Sequence, residues 1–381
     1  MTEEYKPLGG KILTKPFLFF SAIAVIAFFF LIKRFIYGIG AVTNLSDGYP
    51  WGIWIAYDVV VGTGLTCGGY AVSLIVYVLN KGEYHPLVRP AVMASLFGYT
   101  LAGFSIFFDI GRYWQTYNIF FPKYAQTNSV MLEVALCVTA YIMVLWIEFT
   151  PVYGEKWKHI LEPITKRLNK VLFAFIALGM LLPTMHQSSL GTLMVISGYK
   201  LYPLWHTTFI PLLFLISAIT MAYAVVIFES IVASLAFDRP METPLLASLS
   251  LYMIGLTVVY LIVRIGDLLS RGQLGLAFHG DFKGFMFCIE TLLFTMPFFL
   301  LSSPAKRNNP RMLFFAALSM LLAGGMYRFD TFLIGFNPGP GWQYFPSFSE
   351  IMITLGVISI EILAYLIFVK KLPVLPRIRH A

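Results

Sequence analysis

Ten long apolar runs constrain this 381-residue chain more than any other feature. Each has roughly the 20 residues that a helix needs to cross the hydrocarbon core of a bilayer. A helix satisfies its own backbone hydrogen bonds, so repeated runs of this length favour membrane helices. The sequence therefore predicts an all-α integral membrane protein with about ten transmembrane helices in one polytopic domain, residues 1–381. The predicted spans lie near residues 17–37, 51–79, 87–113, 129–150, 170–192, 205–236, 244–270, 282–302, 312–334 and 349–370.

Composition excludes a soluble globular protein. Hydrophobic residues make up 58% of the chain and charged residues 12%, whereas soluble domains are about 25% charged. The cysteines Cys67, Cys137 and Cys288 all lie in apolar runs without a CxxC pair, which argues against disulfides, a metal site or an iron–sulfur cluster in this chain.

The distribution of Lys and Arg predicts the orientation in the membrane. If the N-terminus is cytoplasmic, most basic residues fall in loops on that side, as the positive-inside rule requires. An even number of spans then predicts that both termini are cytoplasmic. The net charge of +8 needs no nucleic-acid partner, because basic inner loops face anionic membrane lipid.

Ionisable residues within the runs point to a site near one membrane surface. Such groups cost several kcal/mol in hydrocarbon, which makes a functional role the default interpretation. With both termini inside, most of them fall in the periplasmic half, while Glu148 and Glu229 fall in the inner half and Glu361 lies near the middle. The periplasmic group comprises Asp58, Asp109, Arg112, Glu133, His186, His206, Arg264, Asp267, Glu290, Arg328 and Asp330.

Two aromatic–proline entries favour an internal duplication. Tyr49-Pro50-Trp51 precedes the second span and Tyr202-Pro203-Leu204-Trp205 the sixth. Four helices separate them, which fits two four-helix bundles plus flanking helices. The alternative is that both are ordinary interface anchors. In the second span Gly64 and Gly68 have the spacing of small residues at helix contacts, and this favours packing over a cofactor role.

Three stretches of the chain resemble one known family. They read DGYPWGIWIAYDVVVGTGLTCGGYAVSLIVYVLN, FGYTLAGFSIFFDIGRYW and MLLPTMHQSSLGTL. With about ten spans, they look like the polysulfide-reductase/NrfD family of quinone-reactive membrane subunits, and most like those of periplasm-facing nickel–iron hydrogenases. The similarity extends over nearly the whole chain.

The resemblance implies a role in a bacterial inner-membrane enzyme. The chain would be the non-hydrogenase membrane subunit of a hydrogen:quinone oxidoreductase. It would pass electrons between a periplasmic ferredoxin-like iron–sulfur subunit and menaquinone or ubiquinone, with coupled proton transfer. The small and large subunits of a nickel–iron hydrogenase would complete the complex.

The histidines bear on whether this chain also binds haem. A bis-histidine b haem needs two imidazoles at matching depth on facing helices. Only His186 and His206 lie within predicted spans at similar depth, so one haem is conceivable and two are not. We expect a haem-free quinone site. The other histidines, which fall in loops or tails, are His85, His159, His279 and His380.

A quinone site needs hydrogen-bond partners for two carbonyl oxygens and a route for protons. The predicted quinone-binding residues are Tyr99, His186, Asp58 and Arg112. The predicted proton-transferring residues are Glu133, His186, Glu229 and Asp109.

Plainer roles stand beside several of these predictions. Asp109 and Arg112, three residues apart, could neutralise each other on one helix face, as could Arg264 and Asp267. Glu133 falls in the first turns of the fourth span, where it could exchange protons with the quinone and where the resemblance also suggests a functional position. It could instead interact with the exposed amides at the helix N-terminus.

The competing function is a secondary transporter, which would also have about ten helices, interior charges and repeats. A transporter site lies near the membrane midplane, whereas the ionisable residues here are concentrated towards one side. A passive anchor would not explain so many carboxylates in the spans.

Overall fold

The computed structural model describes residues 5–375, and ten of its helices are long and apolar enough to cross a membrane. The predicted all-α membrane fold is confirmed. We number these helices α1 to α10. Their bounds are Lys15–Tyr37, Trp54–Val78, Gly82–Asp109, Val130–Lys156, Leu172–Ile196, Ile210–Ala236, Thr243–Ser270, Phe282–Leu300, Pro310–Ile334 and Phe348–Lys371.

The helices form two four-helix bundles, as the duplicated entries suggested. Helices α2 to α5 make the first bundle and α6 to α9 the second, and α6 packs on both α2 and α5 to join them. Helices α1 and α10 pack along each other outside the first bundle, with α10 against α3. The backbone amide of Leu8 bonds to the carbonyl of Val369 at 3.2 Å, so the chain enters α1 where it leaves α10. We call this side the terminal face and the opposite side the far face.

Helix α3 ends earlier than the sequence suggested. It stops at Asp109, because Arg34 of α1 donates to the carbonyls of Phe108 at 2.7 Å and Ile110 at 2.6 Å. These bonds satisfy carbonyls that the helix end leaves open. Arg34 is buried, so it also ties α1 to the far end of the first bundle.

Two further boundaries differ from the prediction. Helix α4 continues past Pro151 to Lys156, since membrane helices tolerate proline where neighbouring groups satisfy the freed backbone. Helix α6 begins at Ile210 rather than near 205, because residues 202–206 form a turn in which the amides of Trp205 and His206 both bond to the carbonyl of Tyr202.

The glycines of α2 allow close helix packing, as their spacing in the sequence predicted. A Cβ on Gly64 would lie 2.9 Å from the Nε of Arg328, and one on Gly68 would lie 3.2 Å from Val226. Helix α2 also has π-helical turns over Trp54–Val61 and Leu74–Val78. At the terminal face the short helix Lys158–Asn169 links α4 to α5 and has no buried residue.

Candidate functional site

A hydrogen-bonded cluster of polar side chains lies inside the first bundle. The hydroxyl of Tyr99 on α3 lies 2.8 Å from Nε2 of His186 on α5 and 3.1 Å from the sulfur of Cys67 on α2. Gln187 donates to the same hydroxyl at 3.5 Å and to Thr63 at 3.1 Å. All five side chains are buried. Three helices thus contribute to one polar group, which we call the Tyr99 cluster.

The Tyr99 cluster has unused hydrogen-bonding capacity. Within residues 5–375, Nδ1 of His186 and Oε1 of Gln187 are buried and have no hydrogen-bond partner. Buried polar atoms are nearly always paired, so such atoms indicate a place for a ligand or water. The ring of Tyr141 packs edge-on against Tyr99 at a centroid distance of 4.5 Å and holds the phenol in place.

Glu133 connects this bundle to the far face. It lies in the first turn of α4, and its side chain is exposed. The hydroxyl of Ser189 on α5 donates to its Oε1 at 2.8 Å. The helix is capped by Ser129, whose hydroxyl accepts from the amide of Leu132 at 3.4 Å. Glu133 therefore bonds to Ser189 on α5 rather than to the open amides of its own helix. Ser189 follows His186 by three residues.

Asp58 lies at the contact of α2 with α3 and α10. Its Oδ2 accepts hydrogen bonds from Ser105 at 3.1 Å and from Thr354 at 3.3 Å. Its Oδ1 is buried without a partner among the described residues. Asp58 is thus a second polar position in the first bundle, facing a different helix from the Tyr99 cluster.

Asp109 and Arg112 are separated by the end of α3. The predicted common helix face is wrong, because the helix stops at Asp109 and Arg112 is exposed in the following turn. No ion pair joins them in the described part of the chain. Oδ1 of Asp109 is buried there without a hydrogen-bond partner.

The second bundle holds a buried ion pair that the sequence did not predict. Arg264 on α7 lies 3.0 Å from Glu290 on α8, and both are buried. Trp205 donates to the same carboxylate at 2.9 Å. Asp267 pairs with Arg271 at 2.6 Å. The predicted pairing of Arg264 with Asp267 is therefore wrong, because each finds another partner.

The inner carboxylates lie apart from the Tyr99 cluster. Glu229 on α6 and Glu361 on α10 line a cavity of about 760 Å³ in the half of the molecule next to the terminal face. Glu148 on α4 has a buried Oε1 that lacks a hydrogen-bond partner among residues 5–375. The structure thus brings Tyr99 and His186 together and leaves Glu229 at a separate place.

Sequence reasoning missed Cys67, Gln187 and Ser189. All three lie in stretches that carry the family resemblance. The available signal was the helical spacing around His186, since Ser189 follows it by three residues on nearly the same helix face. Only the packing of α2, α3 and α4 shows which side chains these residues meet.

Loops at the far face are held by a polar contact. Tyr344 donates to Glu350 at 2.6 Å and accepts from the amide of Ile53 at 2.9 Å. Burial, together with the hydrogen bond to Glu350, raises the pKa of the Tyr344 phenol. Since Oε2 of Glu350 accepts from the amide of Asn44 at 2.9 Å, the segments before α2 and α10 form one surface.

Comparison with known proteins shows the family to which the chain belongs. Residues 41–336 match the family model described as polysulphide reductase, NrfD. The chain belongs to the NrfD family. The sequence-based resemblance is therefore confirmed.

Curated relatives are subunits of redox complexes. Escherichia coli (strain K12) has one named "Probable Ni/Fe-hydrogenase 2 b-type cytochrome subunit", 46% identical over 100% of this chain and 97% of the relative. The integral membrane subunit of menaquinone reductase from Nitratidesulfovibrio vulgaris is 25% identical to this chain. The match covers 89% of this chain and 86% of the relative. A selenate reductase subunit from Mesobacillus selenatarsenatis is 24% identical over 45% of this chain and 39% of its own. The chain is thus similar to membrane subunits of hydrogenase and reductase complexes.

The name of the E. coli relative corrects one expectation. A b-type cytochrome is a protein that carries haem, so the expectation of a haem-free subunit is wrong on this comparison. In residues 5–375 His186 is the one buried histidine, and its Nε2 is bonded to Tyr99. His206 is half-buried and lines a surface pocket with Tyr202. Because the two imidazoles lie in separate surroundings, the described residues do not fit a bis-histidine haem.

Proposed function

We propose that this NrfD-family chain is the quinone-reactive membrane subunit of a periplasm-facing nickel–iron hydrogenase. It passes electrons between a ferredoxin-like iron–sulfur subunit and the menaquinone or ubiquinone pool, and the hydrogenase small and large subunits complete the enzyme. The observation that carries the proposal is the Tyr99–His186 hydrogen bond inside the first bundle, beside buried polar atoms that have no partner among residues 5–375. Relatives in a hydrogenase and in a menaquinone reductase support it.

The Tyr99 cluster suits a quinone headgroup as substrate. A quinone has two carbonyl oxygens, and its reduction takes up two electrons and two protons. The phenol of Tyr99 and the imidazole of His186 can each donate to a carbonyl oxygen and change hydrogen-bonding role within one network. Asp58, from the α10 side, and Arg112, at the far face, are the further proposed binding residues.

Glu133 is the proposed proton exchanger at the far face. Its side chain is exposed in the first turn of α4 at the far face, and its bond to Ser189 links it to α5 on the turn that follows His186. General acid–base transfer needs such hydrogen-bond contact, directly or through one water. Asp109 is proposed to serve the same proton exchange near the end of α3. Glu229 belongs to the proposed route towards the terminal face.

The proposed orientation places the terminal face in the cytoplasm of a bacterium, with the membrane as the inner membrane. The bias of Lys and Arg to loops on this face motivates it. The terminal residues 1–4 and 376–381 themselves lie outside the described residues.

A reporter fused after Ala381 tests the orientation. We expect a C-terminal green fluorescent protein to fluoresce and a C-terminal alkaline phosphatase to be inactive, because the phosphatase matures only in the oxidising periplasm. Fusions in the segment between α3 and α4 serve as the control and should give the reverse pattern. An active phosphatase at the C-terminus would place the terminal face in the periplasm and would contradict the proposed orientation of the site.

The Tyr99→Phe substitution tests the proposed quinone site. It removes the hydroxyl that contacts His186 and Cys67 and keeps the aromatic ring. We expect hydrogen-dependent quinone reduction to fall by at least about tenfold, about 1.4 kcal/mol in the barrier. Hydrogen oxidation with an artificial dye that accepts electrons upstream should be unchanged. Both rates are measured on the purified complex.

Tyr223→Phe is the matched control, since Tyr223 is also a buried tyrosine but lies on α6 outside the cluster. It should keep the wild-type quinone rate. Equal quinone rates in the two variants would remove the Tyr99 cluster from the mechanism.

A further inference from the structure

The cavity lined by Glu229 and Glu361 lies in the terminal-face half of the protein. Its volume is about 760 Å³, within the range of roughly 300–1,000 Å³ that is typical of small-molecule sites. Helices α6 and α10 both line it, α6 with Val232 and Ala236 and α10 with Leu366, and Phe237 lines it just after the end of α6. The start of α1 contributes Phe20 at the end nearest the terminal face. We call this cavity the α6–α10 cleft.

The cleft is mostly apolar, and its polar lining includes Lys370 at the end of α10 and a small group of oxygen atoms. Glu229 on α6 and Glu361 and Tyr365 on α10 line it. The Glu229 carboxyl and the Tyr365 phenol lie within reach of each other, while Oε1 of Glu229 and Oη of Tyr365 have no hydrogen bond of good geometry among the described residues. Incomplete hydrogen bonding of a buried polar group costs roughly 1–3 kcal/mol. The open capacity of this pair therefore favours an occupant that offers polar groups.

The cleft and the Tyr99 cluster lie on different sides of α2. Thr66 and Gly68 line the cleft, whereas Cys67 between them bonds to Tyr99. Successive residues of a helix point in different directions. The two places are thus neighbours on opposite sides of α2, and each has its own polar atoms.

We propose that the α6–α10 cleft is a second binding site for an isoprenoid quinone or quinol, distinct from the Tyr99 cluster. The ring lies between α6 and α10, and its oxygens pair with Tyr365 and Glu229, while the isoprenoid tail follows the apolar wall towards Phe237. This inference rests on the proposed function, because it assigns the same substrate class to a second place.

The oxygens of Glu229 and Tyr365 favour a quinone over a lipid chain. A fatty acyl chain would fill the apolar wall but would offer these two groups no hydrogen bond. A quinone or quinol offers two oxygens on one flat ring and an apolar tail, which matches a mostly apolar site with a few convergent polar groups. Both phenol and carboxyl groups can donate to a carbonyl oxygen or accept from a hydroxyl, according to their protonation.

Photolabelling of the purified complex tests the second site. The probe is an azido-substituted quinone with a short isoprenoid tail, and the labelled peptides are identified by mass spectrometry. We expect labelled peptides from α6 and α10 that contain Phe228 to Phe237 or Glu361 to Leu366. Val232→Trp fills the cleft and should reduce this labelling by at least about fivefold.

Val258→Trp is the matched control. Val232 and Val258 are each 40% exposed, but Val258 lies on α7 and does not line the cleft. This variant should keep the wild-type label on α6 and α10. A label that Val232→Trp and Val258→Trp reduce equally would overturn the proposal, as would a cleft that yields phospholipid in place of the probe.

Tyr99→Phe separates this inference from the proposed function. If both hold, that variant loses hydrogen-dependent quinone reduction and keeps the α6 and α10 label. Label confined to peptides around Tyr99 and His186 would overturn the second site and leave the proposed function intact. Labelling of the cleft together with full quinone reduction in Tyr99→Phe would contradict the proposed redox site alone.

Discussion

A Glu133→Gln complex is expected to oxidise hydrogen normally with an artificial dye and to reduce quinone at least about tenfold more slowly, which corresponds to about 1.4 kcal/mol. Glutamine keeps the side-chain shape and can still accept the hydrogen bond from Ser189, which is 2.8 Å long in the wild type. It cannot take up or release a proton. The quinone rate therefore reports proton exchange at this position.

Glu83→Gln is the matched control for this substitution. Glu83 is also exposed at the start of a membrane helix, but it lies at the terminal face, far along α3 from the Tyr99 cluster. We expect its quinone rate to equal that of the wild type. Full quinone activity in Glu133→Gln would exclude a proton-transfer role for Glu133, and loss of both dye and quinone activity would indicate failed assembly.

Arg264→Met is expected to destabilise the protein more than any other substitution considered. It leaves the buried carboxylate of Glu290 without its cation, and removal of one partner from a buried ion pair typically costs about 3–5 kcal/mol. The thermal midpoint of the detergent-solubilised complex should fall clearly, and less assembled complex should be recovered. Both can be measured by size-exclusion chromatography after heating.

An exposed pair supplies the control for Arg264. Lys166 lies 2.8 Å from Glu162, with side chains 74% and 58% exposed, and pairs of exposed charges contribute little to stability. We therefore expect Lys166→Met to shift the midpoint little. The double variant Arg264→Met/Glu290→Met should recover much of the loss, because the buried carboxylate that Arg264 contacts is removed with it. A double variant as unstable as Arg264→Met would show that packing, not charge, causes the loss.

The tertiary structure changed the interpretation of several charged residues. Arg264 and Asp267 have the spacing of a helix-face pair, yet each is paired with another residue. The choice depends on α8, which brings Glu290 to Arg264, and no local spacing encodes that contact. Asp109 and Arg112 were separated for a similar reason, since Arg34 from a distant helix ends α3 between them.

By itself the sequence determined the class of protein and the number of spans. Those follow from the length and hydrophobicity of each apolar run, because a helix crossing a bilayer satisfies its own backbone and is stable there one segment at a time. The aromatic–proline entries before α2 and α6 also indicated the two-bundle organisation, and the glycine spacing of α2 indicated close helix packing. Only the tertiary structure decided which side chains meet. The bond between Tyr99 and His186, the link from Glu133 to Ser189 and the cleft between α6 and α10 depend on how α2 to α6 and α10 are packed, since each joins residues far apart in the chain.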